Sequence, residues 1–200
     1  MATLTAEQLP DLADSLAAAG GGRLVLGGGC FWCTEAVFVL VDGVTEVTPG
    51  YAGGAAATAH YADVCSGQTG HAEVIDVRFD PSKVSAETLL KIFFAVAHDP
   101  TQVNRQGHDV GTQYRSAVFA VDAAQAAGVR DYIETLNAAG VFSAPVATEV
   151  TALEAFYPAE AAHHDYARRH PGQPYIQGVA APKVEKLTRQ WGGFCRRAPG

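Results

Sequence analysis

A cysteine lies at the point where an apolar strand gives way to a helix. Residues 23–26 form a short apolar run, three glycines follow, and Cys30 opens a segment with helical spacing. At the start of a helix, free amide donors and the positive end of the dipole favour a thiolate. We therefore expect the pKa of Cys30 to be lowered and its sulfur to be a nucleophile. The alternative is a small core residue, but the glycines and the adjacent aromatic residues favour reactivity.

A carboxyl group, Glu73, opens the strand predicted over residues 72–79. Its side chain shares a face with Ile75, Val77 and Phe79, the apolar face of that strand. Burial disfavours a charged carboxylate, so we expect a raised pKa and a candidate general acid. The alternative is that Glu73 turns out to solvent or pairs with a cation.

Aromatic residues recur near the predicted turns. The phenol hydroxyls of Tyr51, Tyr61 and Tyr114 could donate to a polar oxygen, while Phe31 and Trp32 could form the wall of a small apolar pocket. Taken singly, each of these side chains also fits ordinary core packing.

Three further cysteines differ in their surroundings. Cys33 shares a helical face with Val37 and Leu40, which predicts burial, and Cys65 in a Val-Cys-Ser-Gly turn is expected to be buried as well. Cys195 follows two glycines near the end of the chain, where mobility would let it resolve a sulfenic acid. The Cys-x-x-Cys spacing also fits half of a zinc site or a thioredoxin-like motif, but the further ligands and the βαβ pattern are missing. We expect no metal and no cofactor.

A mixture of strands and helices must position these residues. Hydrophobic periodicity predicts strands at 23–26, 44–48, 72–79, 114–121 and 146–152, and helices over 30–41, 85–97, 122–138, 158–166 and 183–191. Residues 49–70 and 98–113 are predicted as irregular loops. The lack of strict alternation favours an α+β fold: a two-layer sandwich with helices on a mixed or antiparallel sheet and a ferredoxin-like core.

The chain is expected to form one globular unit. Residues 1–22 read as an N-terminal extension, with an alanine-rich helix over 5–19 interrupted by Pro10 and a glycine hinge at 20–22. Residues 23–200 form a single catalytic domain that ends in an irregular, mobile tail from about residue 188.

Composition excludes several classes of function. The net charge is -7 and the basic residues are scattered, so we expect neither nucleic acid nor an anionic membrane as a partner. The apolar runs are too short to span a bilayer, and the N-terminal segment lacks the basic start of a secretory signal. Four cysteines are too sparse for a disulfide framework, which favours the cytoplasm. We expect a monomer.

Three segments together resemble the signatures of the peptide methionine sulfoxide reductase A family. They are Gly29-Cys30-Phe31-Trp32, Gly70-His71-Ala72-Glu73 and Asp109-Val110-Gly111-Thr112-Gln113-Tyr114-Arg115-Ser116. Segments at 61–67, 156–160 and 174–175 extend the resemblance over about residues 23–187. The resemblance implies a two-layer α+β fold and reduction of the S epimer of methionine sulfoxide, free or in proteins, with thioredoxin as the usual electron donor.

The resemblance also implies roles for individual residues. Cys30 would attack the sulfoxide sulfur, and Glu73 would protonate its oxygen. The remaining positions would shape the substrate pocket: Tyr61 and Tyr114 hold the oxygen, Phe31 and Trp32 surround the methyl group, and Asp109 is a nearby polar partner.

At one position the sequence departs from the family pattern. Many relatives carry a cysteine after the tyrosine of the Gln-Pro-Tyr segment, whereas Ile176 follows Tyr175 here. The sulfenic acid on the nucleophile must then be resolved by Cys195, by Cys33 or by an external thiol. We favour Cys195, because Cys33 is expected to be buried.

Two other functions remain open on the residues alone. A cysteine-dependent thiol hydrolase would use His71 as the base and would need no reductant. A metal-storage or scaffold protein would use the cysteines with His163 and His164. Dependence on dithiothreitol and metal content would distinguish these functions.

Overall fold

A six-stranded mixed sheet forms the centre of the computed structural model, which describes residues 4–12 and 19–197. The strands are β1 (Arg23–Gly28), β2 (Val44–Ala52), β3 (Ala72–Phe79), β4 (Arg105–Gln106), β5 (Asp109–Val110), β6 (Ser116–Ala120), β7 (Glu149–Ala152) and β8 (Phe156–Pro158). The sheet order is β7-β6-β1-β3-β2-β8, with β4 and β5 as a separate hairpin. Only the β6–β7 pair is parallel.

The helices pack mainly against one face of this sheet. They are α1 (Phe31–Phe38), α2 (Tyr61–Val64), α3 (Ala86–Ile92), α4 (Ala123–Ala139), α5 (Tyr166–Arg169) and α6 (Ala181–Gln190). Side chains from α1, α3, α4 and α6 join one face of the strands in the main core. The opposite face carries a smaller cluster around Val25, Val74 and Phe119. The predicted α+β architecture, with helices on a mixed sheet, is confirmed.

Capping residues fix the starts of two predicted helices. Ser85 accepts a hydrogen bond from the amide of Thr88, and α3 runs on through a π-helical turn to Ala97. Asp122 accepts from the amide of Gln125 at the start of α4. Both predicted helix starts are confirmed, because a side-chain oxygen satisfies an amide that the helix leaves free.

Some predicted element bounds are wrong. Strand β2 continues beyond residue 48 to Ala52, because residues 50–52 pair with both β3 and β8. The predicted loop contains α2, and the predicted helix over 158–166 is replaced by the end of β8, a 3₁₀ turn over Ala161–His163 and the start of α5. These short elements depend on pairing between distant segments, which local periodicity does not report.

The two ends of the described chain contact the core. Part of the predicted helix over 5–19, at 13–18, lies outside the described residues, while Ala6–Gln8 form a 3₁₀ turn and Leu9 is buried. The Trp191 indole donates to the carbonyl of Leu4. In the expected tail, Trp191 is buried and the amide of Arg196 donates to the carbonyl of Leu40 at 2.8 Å, so these residues are tied to the domain.

Candidate active site

The ends of two neighbouring strands bring Cys30 and Glu73 together. Strands β1 and β3 are antiparallel with Leu26 opposite Ile75, so the end of β1 lies beside the start of β3. Cys30 follows β1 after one residue, Gly29, and is the N-cap residue of α1. One Glu73 carboxylate oxygen accepts a hydrogen bond from the amide of Phe31 at 3.0 Å. The helix start therefore faces the carboxyl group.

A single left-handed glycine makes the turn before Cys30. Gly29 has φ +87, and a Cβ there would lie 2.7 Å from the side chain of Gln106. Gly27 and Gly28 belong to β1, so of the three glycines only Gly29 forms the turn. A Cβ on Gly28 would lie 3.1–3.2 Å from Thr34 and other side chains, so close packing uses this glycine.

Glu73 is buried, as its strand face predicts. Its exposed fraction is 2%, and burial raises its pKa to about 8, with the Phe31 amide opposing this shift. A carboxyl group with this pKa is mostly protonated at neutral pH. It can therefore donate a proton to a substrate oxygen.

The predicted pKa shift of Cys30 is wrong. Burial, the hydrogen bond to Cys33 and the nearby charge of Glu73 raise the pKa of this thiol, and no amide caps its side chain. The amide of Phe31 is directed to Glu73 instead. The helix start therefore does not lower the pKa of Cys30.

The pKa of the second thiol of the pair, Cys33, is shifted in the opposite direction. The hydrogen bond from Cys30 lowers the pKa of Cys33, and Lys183 and the Tyr175 hydroxyl lower it further, against burial. The Sγ of Cys33 lies 3.8 Å from the Tyr175 oxygen, and that hydroxyl donates to Asp109 at 2.5 Å. Cys33 is fully buried, as predicted, yet it lies in the same cluster as Cys30. The negative charge of the pair is favoured on Cys33.

An aromatic wall borders the cysteine pair. The ring of Trp32 stacks on Tyr166 with centroids 3.9 Å apart, and its indole nitrogen lies 3.2 Å from Nδ1 of His163. The His163 ring contacts Tyr61 at 4.2 Å and Phe31 at 5.5 Å between centroids. These side chains come from α1, α2 and the segment 161–169. Such a wall can hold a small apolar group.

Two phenols complete the polar side of the site. Burial raises the pKa of Tyr61 and of Tyr114, so both hydroxyls stay protonated and can donate. Tyr114 packs against the cysteine cluster. Glu160 accepts from the amide of Tyr61 at 2.9 Å and from the Tyr51 hydroxyl at 2.8 Å, which ties α2 to the sheet.

The other two cysteines, Cys65 and Cys195, lie away from the pair formed by Cys30 and Cys33. Cys65 is exposed, so its expected burial is wrong: the carbonyl of this residue, rather than its thiol, bonds inward to Gln113. The backbone of Cys195 forms an isolated antiparallel β-bridge with Val41, which lies beyond the far end of α1. The Cys195 sulfur lies 3.8 Å from the carbonyl oxygen of Trp191. At 1.5 Å per residue, this end of the helix is roughly 15 Å from Cys30. The structure does not bring Cys195 to Cys30.

The two alternative functions lose their geometric basis in the structure. The His71 ring accepts from the amide of Gly54 at 3.2 Å and lies 2.9 Å from the carbonyl of Ala55, so both ring nitrogens bind backbone. His71 is therefore not a free base for Cys30. Within residues 4–12 and 19–197, no three His, Cys, Asp or Glu side chains converge as a metal site.

Comparisons with known proteins decide the family. The model of the family described as "Peptide methionine sulfoxide reductase" matches residues 22–193. A peptide methionine sulfoxide reductase MsrA 2 from Synechocystis is 49% identical over 88% of this chain and 83% of its own, and an MsrA from Nautilia profundicola is 52% identical over 84% and 94%. The crystal structure of reduced Mxr1 from Saccharomyces cerevisiae superposes with a TM-score of 0.69 at 31% identity, covering 76% of this chain and 86% of that one.

This chain belongs to the peptide methionine sulfoxide reductase family. The matched residues include the cysteine pair, Glu73 and both phenols. The methionine sulfoxide reductase match also includes the segments 156–160 and 174–175, which supply Glu160 and Tyr175 to the site.

Sequence reasoning missed several contributors to this methionine sulfoxide reductase site. His163 and Tyr166 complete the wall, Tyr175 contacts Cys33, and Glu35 holds the segment before α5. The available signal was the clustering of aromatic and polar residues over 156–175. Nothing local in that segment indicates which of its side chains reach α1.

Proposed function

We propose that this chain reduces the S epimer of methionine sulfoxide, free or in a polypeptide, with Cys30 as nucleophile and Glu73 as acid. The observation that carries the proposal is the buried Glu73, with a pKa of about 8, held on the amide of Phe31 beside the thiol. A protonated carboxyl group at that position can donate to an oxygen bound next to Cys30.

The substrate groups have matching partners in the site. The sulfoxide oxygen lies between Glu73 and the hydroxyls of Tyr61 and Tyr114, which remain protonated. The methyl group packs against Phe31 and Trp32. Fixed positions for oxygen and methyl leave one handed arrangement around sulfur, which selects a single epimer.

In the chemical step, the Cys30 sulfur takes the oxygen. Cys30 passes its proton to Cys33, which lies in the same buried cluster, and attacks the sulfoxide sulfur. Glu73 protonates the oxygen, which ends on Cys30 as a sulfenic acid while methionine leaves. The sulfoxide is reduced by two electrons and the thiol is oxidised by two.

We propose that Cys33 resolves this sulfenic acid. It packs in the same buried cluster as Cys30, and Cys-x-x-Cys pairs form disulfides readily. Attack by Cys33 forms the S–S bond and releases water, and thioredoxin then reduces the disulfide by thiol exchange. Resolution by Cys195, our expectation from the sequence, remains the second candidate and requires residues 191–196 to leave the Leu40–Asp42 edge.

The four unpaired cysteines support a reducing, cytoplasmic location, and the net charge of -7 supports a protein that acts without nucleic acid. We also propose a monomer, since the site is built within one chain. The order β1-α1-β2-β3-α3-β6 with sheet positions β6-β1-β3-β2 supports a ferredoxin-like core.

Reduction of the two separated epimers tests the function. Purified protein is mixed with each epimer of N-acetyl-methionine sulfoxide, with dithiothreitol as reductant, and the reduced product is quantified. We expect product from the S epimer only, and none from a Cys30→Ser variant. Comparable turnover of the R epimer would refute the handed pocket, and no turnover of either epimer would refute the reductase.

The resolving thiol is tested by matched variants. After one equivalent of substrate, peptide mapping should find Cys30 joined to Cys33. Cys33→Ser should stop thioredoxin-supported turnover, while Cys195→Ser should leave it near wild type. A crosslink from Cys30 to Cys195, with the opposite pattern of activities, would restore the sequence-based assignment.

A further inference from the structure

Glu35 is a buried acid that the proposed reaction does not use. It lies on α1 one turn after Trp32, and only 3% of its surface is exposed. One carboxylate oxygen accepts from the amide of Asp165 at 2.8 Å, whereas the other is buried without a partner among the described residues. A buried carboxylate with an unused oxygen is costly, so its position requires an explanation.

The segment that Glu35 holds has an unusual backbone. Asp165 has φ +54 and ψ +34, a left-handed conformation that is uncommon for residues other than glycine. Its own side chain does not cap α5 and instead pairs with Arg168. The acceptor at this position is Glu35, which bonds the amide of Asp165 itself. The carboxylate of α1 therefore substitutes for a local cap.

The next residue connects this contact to the cysteine pair. Tyr166 is the first residue of α5, and its ring stacks on Trp32 at 3.9 Å with an interplanar angle of 10°. Trp32 and Glu35 are three residues apart on α1, so both face the same segment. Tyr166 also joins the cluster around Cys30 and Cys33.

We infer that Glu35 is a positioning residue: by holding the amide of Asp165, the residue before Tyr166, it fixes Tyr166 on Trp32 and so sets the wall that receives the substrate methyl group. It touches no reacting atom. The part of this inference that concerns substrate rests on the proposed function, while the fixing of Tyr166 does not. Helix α1 therefore supplies both Trp32, which is part of the wall, and Glu35, which anchors Tyr166, the stacking partner of Trp32.

Three variants test the positioning role. Glu35→Ala removes the acceptor, Glu35→Gln keeps an acceptor oxygen without the charge, and Glu134→Ala on the exposed face of α4 is the matched control. Methionine release is followed in single turnover over a range of S-sulfoxide concentrations, which excludes the recycling step. Hydrogen exchange of the Asp165 and Tyr166 amides is measured on the same proteins.

We expect Glu35→Ala to raise the half-saturating substrate concentration about tenfold, the scale of a lost hydrogen bond to a charged group. The rate at saturation should change much less, because the wall binds ground state and transition state alike. The protection of the amides of residues 165–166 against hydrogen exchange should fall at least about tenfold. Glu35→Gln should restore most of the half-saturating substrate concentration and most of the amide protection of wild type. The Glu134→Ala control should match wild type in both measurements.

Specific outcomes would overturn the inference. Unchanged half-saturation and unchanged protection in Glu35→Ala would remove the positioning role, and a collapse of the saturated rate alone would place Glu35 in the chemistry. If wild type releases no methionine, the reductase proposal fails, while the exchange data still decide whether Glu35 fixes Tyr166. Should Glu35→Ala not fold, Glu35→Asp, one methylene shorter, takes its place with the same expected losses.

Discussion

Replacing Glu73 by Gln should remove the proposed acid of the reaction while keeping the shape of the side chain. With a pKa of about 8, about nine-tenths of Glu73 is protonated at pH 7, against about 0.3% for the same carboxyl at its ordinary value of 4.5. Burial therefore raises the available acid about 300-fold. An amide cannot donate a proton as an acid does, so we expect at least a ~100-fold loss in the chemical step.

The same change should stabilise the fold at high pH. A carboxyl group whose folded pKa is raised contributes stability below its unfolded pKa of 4.5, and this contribution is lost as pH rises through the folded value of about 8. The full loss is on the order of 5 kcal/mol. Glu73→Gln does not titrate, so its free energy of unfolding should exceed that of wild type at pH 9 and resemble it at pH 4.

Two assays on one variant separate these effects. Single-turnover release of methionine at saturating S-sulfoxide reports the chemistry, and urea unfolding at pH 4, 7 and 9 reports the stability. A variant as active as wild type would mean that the proton comes from Tyr61 or Tyr114. A variant less stable than wild type at pH 9 would show that Glu73 is not held as a buried neutral acid.

Three other predictions follow from the same geometry. Above pH 8 the single-turnover rate of wild type should fall as Glu73 loses its proton, and a rate that keeps rising to pH 10 would contradict this. Gly29→Ala should lower activity and stability together, because φ is +87 and Gln106 fills the space; a normal melting temperature and rate would refute it. Burial lowers the pKa of His98 to about 3, so stability should fall by ~1.4 kcal/mol per unit as pH drops below 6.5, and by less in His98→Gln.

The sequence predicts the parts of the fold that local chemistry determines. Strand β3 and the capped starts of α3 and α4 follow from alternation and from Ser85 and Asp122. Strand β8 and the last residues of β2 could not be predicted, since each exists only through pairing with a strand distant in the chain. The burial of Glu73 was predictable because its strand face fixes where the side chain points.

The pKa order of the cysteine pair could not be predicted from sequence. The N-terminal position of Cys30 indicates a thiolate, but that argument assumes a free amide, and the amide of Phe31 is used by Glu73 from a strand 42 residues later. The charge on Cys33 depends on Tyr175 and Lys183, about 150 residues away in the sequence. Such shifts arise from the assembled site, which no local pattern reports.

The two acids of the site constrain one another. Glu73 and the thiol pair are buried together, and their charges raise one another's pKa: Asp109 and the Cys33 thiolate raise that of Glu73, and Glu73 raises that of Cys30. Two adjacent buried negative charges are more costly than one, so the site favours a single charge. Tyr175, Lys183 and the Cys30 hydrogen bond place that charge on Cys33 and leave the proton on Glu73. Burial thus keeps the proton on Glu73, whereas a charge on Cys33 forms against burial and depends on the groups that surround that thiol.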